Sequence, residues 1–323
     1  MDFRKELLIK PFKEQIQLDD LLFLCGSCFS ENLGAKLAAY HFRTLVNPYG
    51  ILFNPISIVQ SLQNVLSNKN YTPEDIFYHE GLWKSWNHHS QFSGENQDKV
   101  LQSLNHSNQK AHKHLQQSRW LILTLGSAWV YSRENGEVVA NCHKIPTDKF
   151  KKSLLSVSEI GESMEQLLQN LEKFNPNLRV IFTISPVRHL RDGYIENNWS
   201  KAVLIQSVHE IVNKYSGACY FPSYELIIDD LRDYRFYAED MVHPNYLATD
   251  YIWEKFQLAC IDEKSRTFFP DINRINAAKA HKAFQPASEA HRKFRQKNLE
   301  LVRDLQHRLP FLDWQHDLHF FSD

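Results

Sequence analysis

The sequence predicts an α/β fold in which a mostly parallel sheet is covered by helices on both faces. Three observations lead there. Short apolar runs recur, each halted by turn residues; helical patterns lie between them; and the 323 residues are 43% apolar and 23% charged, ordinary globular usage that supports a sizeable core. The first run, 21–25 (Leu-Leu-Phe-Leu-Cys), stops at Gly26 and reads as a buried parallel strand. Residues 31–40 follow as a helix with Leu33, Leu37 and Ala38 on one face and Ser30 as its expected N-cap. Further helical patterns cover 55–67, 98–117, 157–174 and 199–215, and a last core helix is expected at 246–258. The runs 119–125, ending at Gly126, and 179–184, ending at Ser185-Pro186, read as two more strands. Residues 219–222 (Cys-Tyr-Phe-Pro) read as a final one, whose proline suits an edge or a strand end.

From Arg274 to Arg308 the chain carries nine Lys/Arg against three Asp/Glu, with Phe294, Leu301, Leu305 and Leu309 near helical spacing. This predicts a helix that packs an apolar stripe on the main domain and solvates a basic face. The division expected is a main domain over 1–263 and a helical C-terminal extension over 264–323.

Charge narrows the function classes. The 37 Lys+Arg against 38 Asp+Glu argue against a protein built to bind nucleic acid, which usually shows a basic excess. No apolar run approaches the length needed to span a bilayer, so no membrane partner is expected. The N-terminal stretch is broken by charge every few residues, unlike a signal peptide, and the five cysteines are odd in number. Both features predict a cytoplasmic protein with reduced thiols.

In open α/β sheets, reactive groups collect beyond the C-terminal ends of the strands. Cys28 lies two residues past Gly26 and just ahead of a helix. Free amides and the helix dipole there are expected to lower a thiol pKa and to hold the oxyanion of an attacked carbonyl. Ser27 is the second candidate nucleophile in this loop. Late in the chain, Asp240 and His243 sit three apart in a loop closed by Pro244, a spacing that lets a carboxylate orient an imidazole as general base. Nucleophile early and base late is no obstacle, because such groups are defined by geometry and not by order. Cys25 and Cys28 also have the spacing of a redox pair or half a zinc site, but Cys25 is expected inside the strand and no second Cys-x-x-Cys exists. With 10 Gly and no phosphate-cradling loop, the sequence calls for no nucleotide, cofactor or metal.

These residues bring a resemblance into view. Gly26-Ser27-Cys28-Phe29-Ser30 resembles the motif for which the GSCFA family is named, a family itself similar to SGNH/GDSL-type hydrolases. Further segments are similar to that family in order along the chain: Asn47-Pro48-Tyr49-Gly50 with Phe53-Asn54-Pro55, Leu125-Gly126-Ser127-Ala128-Trp129, and Asn141-Cys142-His143-Lys144. Ser185-Pro186-Val187-Arg188-His189 and Asp240-Met241-Val242-His243-Pro244-Asn245 complete the set. The resemblance implies a three-layer α/β/α, flavodoxin-like fold. It implies Cys28 at the nucleophile position, His243 as base, Asp240 as its orienter and Gly50 as an oxyanion glycine. The family block that would supply an oxyanion-hole asparagine falls on Gly126-Ser127-Ala128, which has none. Asn54 and His143 are the expected substitutes, and Arg188 or His189 would bind an anionic or polyol part of the substrate.

The expectation is therefore an SGNH-like acyl esterase, deacetylase or acyltransferase acting on a small-molecule or carbohydrate acyl ester. The competing expectation is a catalytically inactive protein of the same fold that binds a glycan or anionic polymer, helped by the loop 83–90 and the basic C-terminal helix.

Overall fold

The computed structural model describes residues 5–322. Five strands form the central sheet: β1 (Leu21–Gly26), β2 (Arg43–Val46), β3 (Trp120–Leu125), β4 (Arg179–Ile184) and β5 (Ala218–Phe221). Every neighbouring pair is parallel and the spatial order is β2-β1-β3-β4-β5, the flavodoxin-like order. All but the edge strand β2 read as largely apolar runs because both faces are covered. In β1, Leu22 and Leu24 enter one core and Phe23 and Cys25 the other.

Helices α1 (Cys28–Ala39), α2 (Pro55–Leu66), α3 (Gln97–Gln117), α4 (Val157–Phe174), α5 (Tyr194–Lys214) and α6 (Tyr246–Cys260) fill the two layers. Leu33 and Leu37 of α1 pack with Ile252 and Phe256 of α6 on one face. The opposite face holds Ile58 of α2, Leu104 of α3, Met164 of α4 and Leu204 of α5. The chain is thus a three-layer α/β/α fold. No helix among the described residues is long and apolar enough to cross a membrane.

Several expectations need correction. Helix α1 starts at Cys28 with Ser27 as its N-cap, not Ser30; Ser30 is buried and its hydroxyl donates to Thr124 Oγ1 at 2.8 Å. The strand turns directly into the helix, leaving no room for a longer loop. Strand β2 was not expected, since this four-residue edge strand lacks a continuous apolar run. Two small antiparallel sheets were also not expected, one of Phe77–His79 with Leu82–Lys84 and one of Trp129–Ser132 with Val138–Val139 and Lys151–Leu154. The single basic helix expected over 274–308 is two helices, α7 (Phe269–Ala280) and α8 (Glu289–Arg308). Pro286 removes a helical N–H between them, and Ser288 caps the restart by accepting from His291 N. With α9 (Gln315–Ser322) and Trp314 just before it, these helices send Ile272, Ile275, Val302, Leu305 and Phe321, together with the Trp314 indole, into the α1–α6 core.

Candidate active site

Strand order and register place the site. The order reverses between β1 and β3, which opens a crevice at their C-terminal ends. Gly26 of β1, Thr124 of β3 and Thr183 of β4 are paired in one row across the sheet, so the segments that follow them emerge side by side.

Gly26 has φ +142°, and a Cβ there would lie 2.1 Å from the Thr124 carbonyl oxygen, so only glycine passes. Ser27 N–H donates to that same carbonyl at 3.1 Å. Ser27 is fully buried and its hydroxyl accepts from Phe29 N at 3.3 Å, capping α1. Cys28 is the first residue of α1 and half-buried. A first-turn amide has no partner within its own helix, and among the described residues the Cys28 N–H has no acceptor elsewhere.

The thiol departs from expectation. Burial and, less strongly, the Glu31 carboxylate push the Cys28 pKa up, and the Cys28 and Phe29 amides and the positive charge of Lys201 offset this only in part. The helix N-terminus does act in the expected direction, but desolvation outweighs it.

At the end of β3, Gly126 and Ser127 both donate their N–H groups to the Phe53 carbonyl, at 2.8 and 3.0 Å. Gly126 is a meeting point. A Cβ on it would sit 3.0 Å from His189 Nε2, 3.2 Å from Phe53 O and 3.4 Å from Ser27 Cβ. The imidazole of His189 is therefore brought up to the turn that carries Ser27 and Cys28. Burial, then the charges of Lys201 and His243, hold its pKa down at about 3, so it is neutral at physiological pH. Its Nε2 is buried without a hydrogen-bond partner.

The segment after β4 also docks the late loop. Arg188 N–H donates to Val242 O at 3.2 Å, fixing the 240–243 turn against the strand end. Within that turn His243 Nδ1 and Asp240 Oδ2 are 2.7 Å apart, and Asp240 Oδ1 accepts from the amides of Val242 (2.9 Å) and His243 (3.0 Å). These hydrogen bonds hold the Asp240 pKa at about 2, so its carboxylate orients the imidazole throughout the neutral range. Both side chains are about half exposed, at 47% for His243 and 49% for Asp240. No hydrogen bond joins Cys28 Sγ to His243.

Arg188 continues into a cavity of about 280 Å³ lined also by Ile227, Arg232, Tyr234 and Tyr237. Its guanidinium lies 4.1 Å from the Tyr237 ring centroid and 5.2 Å from that of Tyr234. Arg188 Nη1 and Tyr237 Oη are both buried without a partner.

The glycine and the two donors expected around the oxyanion have hydrogen-bond partners of their own. Gly50, at φ +77°, gives its N–H to Asn47 O at 2.7 Å and closes a turn. That turn buttresses segment 26–28, since Asn47 Oδ1 accepts from Gly26 N and Leu52 N–H donates to Gly26 O. Asn54 caps α2, with Oδ1 accepting from Ser57 N and Nδ2 donating to Ser57 Oγ. His143 belongs to the small-sheet region, its ring edge-on to Phe77 and Trp86 and its Nε2 2.8 Å from Ser85 O. The Cys25 side chain lies within β1 facing Ser61, all five cysteines are free, and among the described residues no group of three or more His, Cys, Asp or Glu is placed to hold a metal.

One residue of the site escaped the sequence reading. Lys201 of α5 is 1% exposed, and its Nζ donates to Gly126 O and Ser185 O, both at 2.7 Å, tying the ends of β3 and β4 together. Its signal is in the spacing: Asn197, Lys201, Leu204, Val208 and Ile211 form the buried stripe of α5 at alternating steps of four and three. A lysine in that stripe stands where an apolar residue is expected.

Residues 21–256 match the model of the GSCFA family, and residues 272–323 match that of the GSCFA domain protein, C-terminal domain. No curated protein matches the chain. Among solved structures, one from Streptococcus pneumonia, described provisionally as a platelet activating factor, is 12% identical with a TM-score of 0.39, covering 77% of this chain and 84% of its own. A carbohydrate esterase family 3 structure from Talaromyces cellulolyticus is 9% identical with a TM-score of 0.35, covering 79% and 99%.

Proposed function

The chain belongs to the GSCFA family, and from that premise we propose that it is an SGNH-like hydrolase acting on an acyl ester through Cys28. In this reading the Cys28 sulfur attacks the ester carbonyl, and the uncommitted Cys28 amide receives the developing oxyanion. Asp240 fixes the tautomer of His243, whose Nε2 takes the thiol proton and gives it to the leaving alkoxide, then takes the proton of the acceptor that resolves the acyl-enzyme and returns it to the departing sulfur. Water as acceptor gives hydrolysis, and a sugar hydroxyl gives acyl transfer. The cavity beside Arg188, lined by its guanidinium and the Tyr237 phenol, suits a polyol or anionic portion of the substrate.

The observation that carries this reading is the docking of the oriented Asp240–His243 pair, through Arg188 N–H to Val242 O, on the same strand-end crevice that presents Cys28. Ser27 is the weaker nucleophile, because its buried hydroxyl caps α1.

The test compares wild type, Cys28→Ala and Ser27→Ala on chromogenic short-chain acyl esters, with an alkylating probe mapped to its cysteine. Cys28→Ala is expected to lower turnover by about 10³-fold or more with an unchanged fold. Ser27→Ala should cost about 1 kcal/mol of stability and keep most activity. Full turnover in Cys28→Ala would overturn the mechanism. Ligand binding indifferent to Cys28, with no turnover on any ester, would favour a binding protein instead.

A further inference from the structure

The basic stretch 274–308 takes no part in the acyl-ester reading, and part of it lines a cavity. Helices α7, α8 and α9, with the loop 281–288, enclose about 400 Å³, a volume typical of small-molecule sites. Four imidazoles, those of His281, His291, His316 and His319, line this space together with the Arg295 guanidinium. No Asp or Glu lines it.

Ring contacts and one hydrogen bond fix the wall. Phe294 holds two of the imidazoles: His291 stacks on it with centroids 6.0 Å apart, and the His281 ring lies tilted at 5.4 Å. Arg295 Nη2 donates to Phe320 O at 3.0 Å, so a half-buried guanidinium reaches from α8 to α9 with N–H groups to spare. The neighbouring carboxylates are engaged with other cations. Asp317 of α9 is buried and pairs with Lys279 and His41, and Glu289 of α8 pairs with Lys293. Among the described residues no carboxylate pairs with Arg295. An arginine held by a backbone carbonyl, beside imidazoles and without a counter-ion, presents a fork that fits an oxyanion. The surface around it is apolar: Phe320 lines the cavity and is exposed, and Phe284 stands 96% exposed in the loop between α7 and α8.

We propose that this cavity is a binding site for a small organic anion, a carboxylate or phosphate joined to an apolar, ring-sized body. The oxyanion accepts from Arg295 and from imidazole N–H groups, and the apolar body lies along Phe320. The site shares no residue with the crevice that presents Cys28, and it does not rest on the acyl-ester reading.

The test titrates the full chain with phenyl phosphate, with benzoate and with the neutral benzyl alcohol by isothermal titration calorimetry. At least one of the two anions is expected to bind saturably, tenfold or more tightly than benzyl alcohol. Arg295→Met should weaken that binding by about 10–100-fold, and His316→Ala by about 2–10-fold. Arg188→Gln, in the other cavity, should leave it unchanged. Saturable binding of neither anion, equal affinity for benzyl alcohol, or a loss that follows Arg188→Gln in place of Arg295→Met would overturn the proposal.

Arg295 also ties α8 to α9. Should Arg295→Met fail to fold, the wild-type protein is followed by hydrogen exchange with and without the anion that binds. Slower exchange in 281–295 and 315–321 supports the site, and no slowing there overturns it. Anion binding at Arg295 in a protein inert to every ester would sink the hydrolase reading and leave this one standing.

Discussion

Gly26 shows how a single missing atom builds a site. The sequence marks it as the stop of a strand, and the structure adds that its left-handed φ and its approach to the Thr124 carbonyl admit no side chain. The obstacle is backbone in the middle of the sheet, which cannot swing away. Gly26→Ala is therefore expected to cost about 3 kcal/mol or more, read as a lower urea midpoint at unchanged slope, and to slow Cys28 alkylation by displacing the turn. Cys28, Asp240 and His243 were legible as candidates because reactive residue types beside strand ends and caps stand out in one dimension. The pKa of Cys28 was not legible. Its sign depends on how much protein covers the thiol, and that cover comes from segments distant in sequence. Lys201 was missed for the related reason that one lysine in a helical stripe is silent until its surroundings are known.

At the scale of elements, local signals carried well where capping chemistry is strong. Helix α4 opens with a capping box, in which Ser156 accepts from Glu159 N and Glu159 accepts from Ser156 N, and its expected limits of 157–174 are those observed. Ser156→Ala is expected to lower stability by about 1 kcal/mol, measured by thermal melting, with no effect on the alkylation of Cys28 some distance away. Weak elements did not carry. Strand β2 has Arg43 exposed and its other residues half-buried, so it forms through pairing with β1 and not through its own apolar pattern. The two small sheets are similar, each built of strands two to four residues long. They have too few residues for a period of two to register.

The whole molecule depends on its C-terminal helices. Trp314 is 1% exposed, donates its indole N–H to Leu309 O at 3.1 Å, and packs at a tilt with its ring centroid 4.1 Å from that of His41, which lies just before β2. Asp317 of α9, also 1% exposed, is paired with Lys279 at 2.5 Å and His41 at 3.5 Å. The C-terminal helices thus cover the α1–α6 face instead of standing apart from it. Trp314→Ala is expected to destabilise the whole protein by about 4 kcal/mol in a single urea transition that includes the central sheet. Separate unfolding of the C-terminal helices in that variant would contradict one shared core.

The sequence alone determined the layered α/β arrangement, four of the five sheet strands and the segments that carry Cys28, Asp240 and His243. Periodicity, turn residues and caps act within a few residues of one another, so they can be read along the chain. The tertiary structure decided what meets what. It set the parallel order β2-β1-β3-β4-β5, the row of strand ends from Gly26 to Thr183, and the burial of Lys201 beneath them. It also gave Gly50, Asn54 and His143 hydrogen-bond partners of their own in Asn47, Ser57 and Ser85. These outcomes depend on register and desolvation between segments far apart in the chain, and neither exists until the layers close.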